Sequence, residues 1–394
     1  MLSTRKTLNG NQSIAEAVRQ VDPEVIGAYP ITPSTAIIET IAQFKADGMI
    51  SGEFVCPESE HSAMSVCIGA SAAGGRVMTA TASQGLVLMY EMLYIAAGLR
   101  LPIVAAVVNR ALSPPINIHC DHSDSMGGRD SGWIQIYSEN CQEAYDNFIQ
   151  AFRIAEHMDV RTPVIVGLDG FIISHSMEVI QVEDDEAVRS FVGEFTPLHS
   201  LLDTEKRFSV GPLDFTDYYF EHKRNQLEGI ENSTQAVAAV GEDFGRIFGR
   251  KYGFFEEYRT DDAELCILVM SSAAGTCKDA VDILRHKGKK VGLIKPRLFR
   301  PFPHKEIAAA LCPFEAVAVL DRSVSPGSFG GPLFSEVRSA LYDCEKRPKI
   351  VNYIYGLGGR DIKVEHFLEV AGKLEAIADT GKIEEACGYI NLRE

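Results

Sequence analysis

Four apolar runs in the first 110 residues each end in a short polar turn and then a helix-like pattern, and this repeat constrains the fold more than anything else in the chain. Val25-Ile26-Gly27-Ala28 leads through Tyr29-Pro30-Ile31-Thr32-Pro33-Ser34-Thr35. Phe54-Val55-Cys56 leads through Pro57-Glu58-Ser59 to Glu60 and a small-residue helix over 62–73. Val77-Met78-Thr79-Ala80 leads through Thr81-Ala82-Ser83-Gln84-Gly85 into a helix over 86–99, and the run 103–108 ends at Asn109-Arg110. Strands alternating with helices imply a parallel sheet with right-handed crossovers, in which ligands lie beyond the carboxyl ends of the strands. That places Thr32, Glu60, Ser83, Gln84 and Arg110 along one edge. Together their hydroxyls, carboxylate, amide and guanidinium suit a small anion and a heterocycle. The two prolines hold Tyr29 and Thr32 in extended backbone, with Ser34 or Thr35 placed to cap the next helix.

The pattern continues with a helix over 141–157 and a strand over 163–168. From about residue 176 to 260 the chain turns acidic and aromatic, and Tyr218-Tyr219-Phe220 and Phe254-Phe255 suggest helices and loops packed on their neighbours. A second α/β unit then follows, with strands expected at 265–270, 291–294, 316–320 and 350–353 and a helix over 273–287. The formal charge of 38 − 54 = −16 disfavours nucleic acid and anionic membranes as partners. Glu91, Arg100 and Pro102 interrupt the most apolar stretch, so no membrane span is expected. No apolar signal segment follows Met1, which predicts a cytoplasmic protein. Nine scattered cysteines with no Cys-x-x-Cys pair predict reduced thiols and no iron–sulfur cluster held by this chain.

Each candidate residue also has a plain structural reading. Glu60 could simply favour a helix N-terminus, Arg110 could form a sheet-end ion pair, and Ser83-Gln84-Gly85 could be a tight cap or a phosphate turn. Ile118-His119-Cys120-Asp121-His122-Ser123-Asp124 carries metal-ligating side chains, but they are crowded into six residues of loop. Such a loop is better read as closing over a site or a subunit contact, with residues 127–133 as its hinge, and no metal site is assigned.

The blocks Tyr29-Pro30-Ile31-Thr32-Pro33, Glu58-Ser59-Glu60-His61-Ser62-Ala63, Thr79-Ala80-Thr81-Ala82-Ser83-Gln84-Gly85, Asn109-Arg110-Ala111-Leu112, Asp130-Ser131-Gly132-Trp133, Leu168-Asp169-Gly170-Phe171 and Tyr355-Gly356-Leu357-Gly358-Gly359-Arg360-Asp361 occur in order along nearly the whole chain. On them the chain resembles the alpha subunits of pyruvate:ferredoxin oxidoreductases, or pyruvate synthases, within the 2-oxoacid:ferredoxin oxidoreductase family. The resemblance implies a parallel-sheet α/β domain that binds the pyrimidine of thiamine diphosphate over residues 1–260, with a connecting segment from about 176. A smaller α/β domain like the transketolase C-terminal domain is implied over 261–394. The implied activity is reversible, coenzyme A-dependent oxidative decarboxylation of pyruvate to acetyl-CoA and carbon dioxide, with electrons passing to ferredoxin. The alternatives are the same chemistry on 2-oxoisovalerate, 2-oxoglutarate or oxalate, or a non-catalytic assembly subunit.

By resemblance, Glu60 rather than Glu58 binds the pyrimidine N1′, where a carboxylate favours the imino tautomer needed for deprotonation at C2. Arg110 grips the substrate carboxylate with help from Thr32, and Ser83, Gln84 and Tyr29 touch the cofactor. The chain has no Gly-Asp-Gly motif of the kind that chelates the diphosphate with Mg²⁺. The same resemblance implies that the diphosphate, Mg²⁺ and [4Fe-4S] clusters lie on partner subunits of beta, gamma and delta type.

Overall fold

Every residue of Ile103–Asn109 is buried, as expected of a strand covered by helices on both faces of a parallel sheet. In the computed structural model, which describes residues 3–393, it is the middle strand of seven. Their spatial order is Leu298–Arg300, Ile134–Tyr137, Val164–Asp169, Ile103–Asn109, Val77–Thr81, Val25–Gly27 and Glu53–Val55. All neighbours are parallel except Leu298–Arg300, which runs antiparallel to Ile134–Tyr137. A six-stranded sheet follows in the order Cys387–Tyr389, Lys349–Ile354, Ala316–Asp321, Leu265–Val269, Val291–Pro296 and Phe255–Tyr258, with the last antiparallel. Thr4–Leu8 and Glu178–Val182 form a separate antiparallel pair.

The expected strands are present, with ends shifted by a residue or two. The helix Glu60–Ala72 starts earlier than the pattern suggested, because Ser59 caps it by accepting from Ser62 N at 3.3 Å. The expected helix over 86–99 is two helices, Ser83–Leu88 and Tyr90–Gly98, meeting at Met89. Ser34 does stand before Thr35–Ala46, but its hydroxyl donates to Ile31 O at 2.7 Å and caps no amide.

The connecting segment holds a 30-residue helix, Tyr219–Phe248. Ala236, Val237, Val240 and Phe244 bury one stripe of it, as helical spacing requires. The expectation that Tyr218-Tyr219-Phe220 packs on neighbours does not hold. These residues are 66%, 56% and 79% exposed, because burial on the body of the protein begins only at Gly229, where a Cβ would lie 2.7 Å from Val160 O.

The seam between the two large sheets is polar. The helix Cys141–Ala155 is buried almost all round, and its polar side chains need partners in the interior. Arg250 binds Asp146 through Nε and Nη2 at 2.6 and 2.8 Å, Arg297 Nε donates to Asn147 Oδ1 at 2.7 Å, and Lys295 sits 2.6 Å from Glu139 and 2.8 Å from Glu256. Buried ion pairs of this kind add little net stability, but removing one partner strands a charge, so they fix how the sheets meet.

Candidate active site

Thr32, Glu60, Ser83, Gln84 and Arg110 all lie at the carboxyl edge of the seven-stranded sheet, because each follows the end of a parallel strand. The Thr32 turn is braced from behind, where Asn11 Nδ2 donates to Pro33 O at 2.9 Å and Pro33 covers Gly170. Thr32 itself is exposed, and Tyr29 is half-buried against the core beside the helix Glu60–Ala72.

Glu60 is the first residue of its helix and only 7% exposed, yet its carboxylate has no hydrogen-bond partner among the described residues. Glu58 is different. It lies on the surface, where its hydrogen bond to the Ser62 hydroxyl lowers its pKa. Glu60 Oε1 lies where it does only because residue 85 is glycine. A Cβ there would sit 2.8 Å from that oxygen and 2.6 Å from Thr81 Oγ1.

Arg110, 7% exposed, joins this edge through Gln84, the chain neighbour of Gly85. Its Nη1 donates to the Thr32 carbonyl at 2.8 Å, its Nη2 to Gln84 Oε1 at 3.3 Å and its Nε to the Asn117 carbonyl at 3.3 Å. A guanidinium has five N–H bonds, so one on each terminal nitrogen is left for a ligand. Ser83 is completely buried, and its hydroxyl is 2.6 Å from both Ala111 O and Gln84 Oε1. It faces inward towards Ala111 and the Gln84 side chain, whose Oε1 also accepts from Arg110.

Asp124, which the sequence offered only as a metal-loop residue, ties the site together. Its Oδ2 accepts from the backbone amides of Ser83 and Arg110, both at 2.9 Å. Its Oδ1 accepts from Asn109 Nδ2 at 2.9 Å and Ser125 N at 2.7 Å. Burial pushes its pKa up to about 6 against these four hydrogen bonds.

The rest of that loop is pinned to the second sheet. Asp169, at the end of a strand in the first sheet, receives His122 Nε2 at 2.7 Å and Arg322 Nη1 at 2.7 Å, and also the Ser272 hydroxyl. Asn117 Nδ2 donates to Gly358 O at 3.0 Å, and Gly358 N donates to Asp121 Oδ2 at 3.2 Å. Cys120, His122 and Asp169 bring ligand atoms within 4.8 Å of one another. A cation there would face the Arg322 guanidinium, and burial raises the Cys120 thiol well above its usual pKa, which keeps it protonated. The cluster is an ion-paired lock. The expected hinge at 127–133 is likewise an anchor, since Trp133 is 1% exposed and its Nε1 donates to Leu93 O at 2.9 Å.

Residues 16–242 match the family model described as pyruvate flavodoxin/ferredoxin oxidoreductase, thiamine diphosphate-binding, and residues 263–367 match pyruvate:ferredoxin oxidoreductase core domain II. The chain is 52% identical to pyruvate synthase subunit PorA of Thermotoga maritima over 99% of its own length and 98% of that protein's. With the same coverage, it is 46% identical to pyruvate synthase subunit PorA of Methanocaldococcus jannaschii and 43% identical to ketoisovalerate oxidoreductase subunit VorA of Pyrococcus abyssi. Among solved structures, 2-oxoglutarate:ferredoxin oxidoreductase from Magnetococcus marinus superposes with a TM-score of 0.75 at 21% identity, over 95% of this chain and 65% of that one. The chain is a subunit of a multi-subunit assembly, and it belongs to the pyruvate flavodoxin/ferredoxin oxidoreductase family.

Proposed function

We propose that this chain is the alpha-type subunit of a pyruvate:ferredoxin oxidoreductase, oxidising pyruvate in the presence of coenzyme A to acetyl-CoA and carbon dioxide, and reversing that reaction. The observation that carries the reading is the largely buried Glu60 carboxylate, without a protein partner among the described residues, on the same sheet edge as an arginine with two free N–H bonds. A carboxylate held at 7% exposure with no protein donor among the described residues is open to one from a ligand. The protonated N1′ of an aminopyrimidine supplies it, and the missing Cβ at Gly85 leaves the carboxylate room to receive it.

Bound thiamine diphosphate would supply the electron sink that lets a 2-oxoacid lose carbon dioxide. Glu60 would hold the proton at N1′. Arg110 would orient the substrate carboxylate through its two remaining N–H bonds, with the exposed Thr32 hydroxyl as a second donor. Gln84, its Oε1 fixed by Arg110 and Ser83, would turn its amide nitrogen to the ligands. Tyr29 would line the cofactor side of the crevice.

Partner subunits of beta, gamma and delta type would hold the diphosphate with Mg²⁺ and the [4Fe-4S] clusters that pass electrons to ferredoxin. We also propose two structural units for the chain. Phe255–Tyr258 pairs within the second sheet, so the boundary belongs near residue 250 rather than 260. No helix among the described residues is long and apolar enough to cross a membrane.

Ferredoxin reduction by the purified complex with coenzyme A and, in turn, pyruvate, 2-oxoisovalerate and 2-oxoglutarate tests the reading. Pyruvate should give the highest kcat/KM. Preference for 2-oxoisovalerate would move the chain to the ketoisovalerate branch, and no turnover with any of them would leave it an assembly subunit.

A further inference from the structure

The opposite end of the same sheet carries a second polar arrangement. Arg100 and Arg161 each stand three residues before a central strand, Ile103–Asn109 and Val164–Asp169, on the face away from Glu60 and Arg110. Both line a cavity of about 280 Å³ whose walls are otherwise largely apolar, with Leu101, Phe195 and Phe208 among them. Among the described residues neither arginine has a carboxylate partner. Glu156, which acts on Arg161 at a distance, gives its two oxygens to Arg76 at 2.7 and 2.8 Å. Arg100 donates only to neutral groups, Asn225 Oδ1 and the carbonyls of Asp159 and Val160.

Two lining residues are more than nine-tenths buried and have polar atoms without partners: Ser71, 4% exposed, at its hydroxyl, and Arg161, 7% exposed, at Nε. Arg161 donates through Nη2 to Thr196 O at 2.7 Å. Both arginines have left-handed backbone, φ 54° and 43°, which costs about 1–3 kcal/mol at a non-glycine residue. Burial pushes both guanidinium pKas down. Two adjacent cations without a direct carboxylate partner, offset only at a distance by Glu228 and Asp159 on Arg100 and by Glu156 on Arg161, and an orphaned hydroxyl in a largely apolar cavity are costly unless an anion completes them. They are the more notable in a chain of net charge −16.

We propose that this cavity is a second binding site, for a small amphipathic anion whose carboxylate or phosphate head lies on Arg161 and the Ser71 hydroxyl, with Arg100 as the second positive charge. The apolar body of the ligand fills the space between Phe195, Phe208 and Leu101. The volume is at the small end of ligand pockets and suits a body of about one aromatic ring. The planar fork of arginine matches either head group. Ser71 lies in the last turn of the helix that begins at Glu60, so an occupant would touch that helix about 16 Å along its axis from Glu60.

The test is a fluorine NMR titration of the assembled complex with 4-fluorobenzoate, 4-fluorophenyl phosphate and the neutral 4-fluorobenzyl alcohol. Saturating pyruvate is present to occupy the other anion site. At least one anion should bind saturably and about tenfold or more tighter than the alcohol. Which anion binds identifies the head group. Binding should weaken about tenfold or more in Arg161→Gln, recover in part in Arg161→Lys and persist in Arg110→Ala. Arg161 also braces Thr196, so Ser71→Leu, which fills the cavity and keeps both arginines, should block binding on its own and carries the test if Arg161→Gln does not fold. The proposal is overturned if neither anion binds saturably, if the alcohol binds as well as both anions, or if Ser71→Leu leaves binding unchanged.

Discussion

Asp124→Asn exchanges one oxygen for an NH₂ group and should lower activity beyond what any loss of stability accounts for. Asp124 has a folded pKa of about 6 against an ordinary 3.8, a difference worth about 3 kcal/mol. The carboxyl is harder to ionise in the folded protein. Its contribution to stability is therefore greatest below pH 3.8 and is lost as the pH rises through about 6. Asparagine removes that burden near pH 7. It also points an amide NH₂ at one pair of donors, either Ser83 N and Arg110 N or Asn109 Nδ2 and Ser125 N. Two buried unsatisfied donors cost about 2–6 kcal/mol together. The opposing contributions leave a net destabilisation of no more than about 3 kcal/mol. Activity has no such offset: whichever pair is released, the link between Asp124 and the turns that carry Gln84 and Arg110 loosens, and about 1–3 kcal/mol of lost positioning is about fivefold to over a hundredfold in kcat/KM. Ferredoxin-linked pyruvate oxidation and thermal melting, measured in parallel between about pH 5 and 8, separate the two effects. Wild-type activity should fall below about pH 6 as Asp124 takes up a proton, and the variant should lack that step. Full kcat/KM in Asp124→Asn, or activity lost only in proportion to melted protein, would refute the reasoning.

Glu60→Gln should slow thiamine C2 proton exchange in the assembled complex about a hundredfold or more, whereas the surface variant Glu58→Gln should exchange normally; NMR measures both, and equal rates would remove Glu60 from the role. Arg110→Ala should lower kcat/KM for pyruvate about thirtyfold to a thousandfold, and Thr32→Val less, as steady-state rates will report. Because Arg110 also holds Gln84, thiamine affinity measured by calorimetry should weaken modestly in Arg110→Ala, and abolished cofactor binding would make the arginine a brace alone. Gly85→Ala should impair thiamine binding about as severely as Glu60→Gln impairs exchange, since its Cβ would lie 2.8 Å from Glu60 Oε1, while circular dichroism shows the fold retained.

The carboxyl-edge site was legible because its residues follow apolar runs closely. A strand that ends at Val55 or Asn109 leaves its next polar side chains little choice of place. Glu60 could be separated from Glu58 only by resemblance, since burial is not written in a local Glu-Ser-Glu pattern. The work of Asp124 was hidden for a different reason. Its partners Ser83 and Arg110 are 41 and 14 residues away and use backbone amides, which leave no mark on side-chain identity. The lock of Asp169 with Ser272 and Arg322 joins residues 103 and 153 apart. Leu298–Arg300 is too short for a period-two pattern to identify it, and nothing local tells it which sheet to join. The break at Met89 escaped because the apolar run continues through it.

That short strand also governs the order of events during synthesis. Ile134–Tyr137 is an edge strand until Leu298–Arg300 pairs with it, so its outer backbone groups stay unpaired until about 300 residues have been made. Lys295, which pairs with Glu143 of the helix Cys141–Ala155, and Arg297, which donates to its Asn147, arrive at the same moment. A ribosome paused before them holds a chain with unpaired backbone and stranded charges, the state in which edge-to-edge association is most favoured. Fragments cut near residue 250 would carry the same exposed edge permanently, so the first unit is unsuited to production on its own.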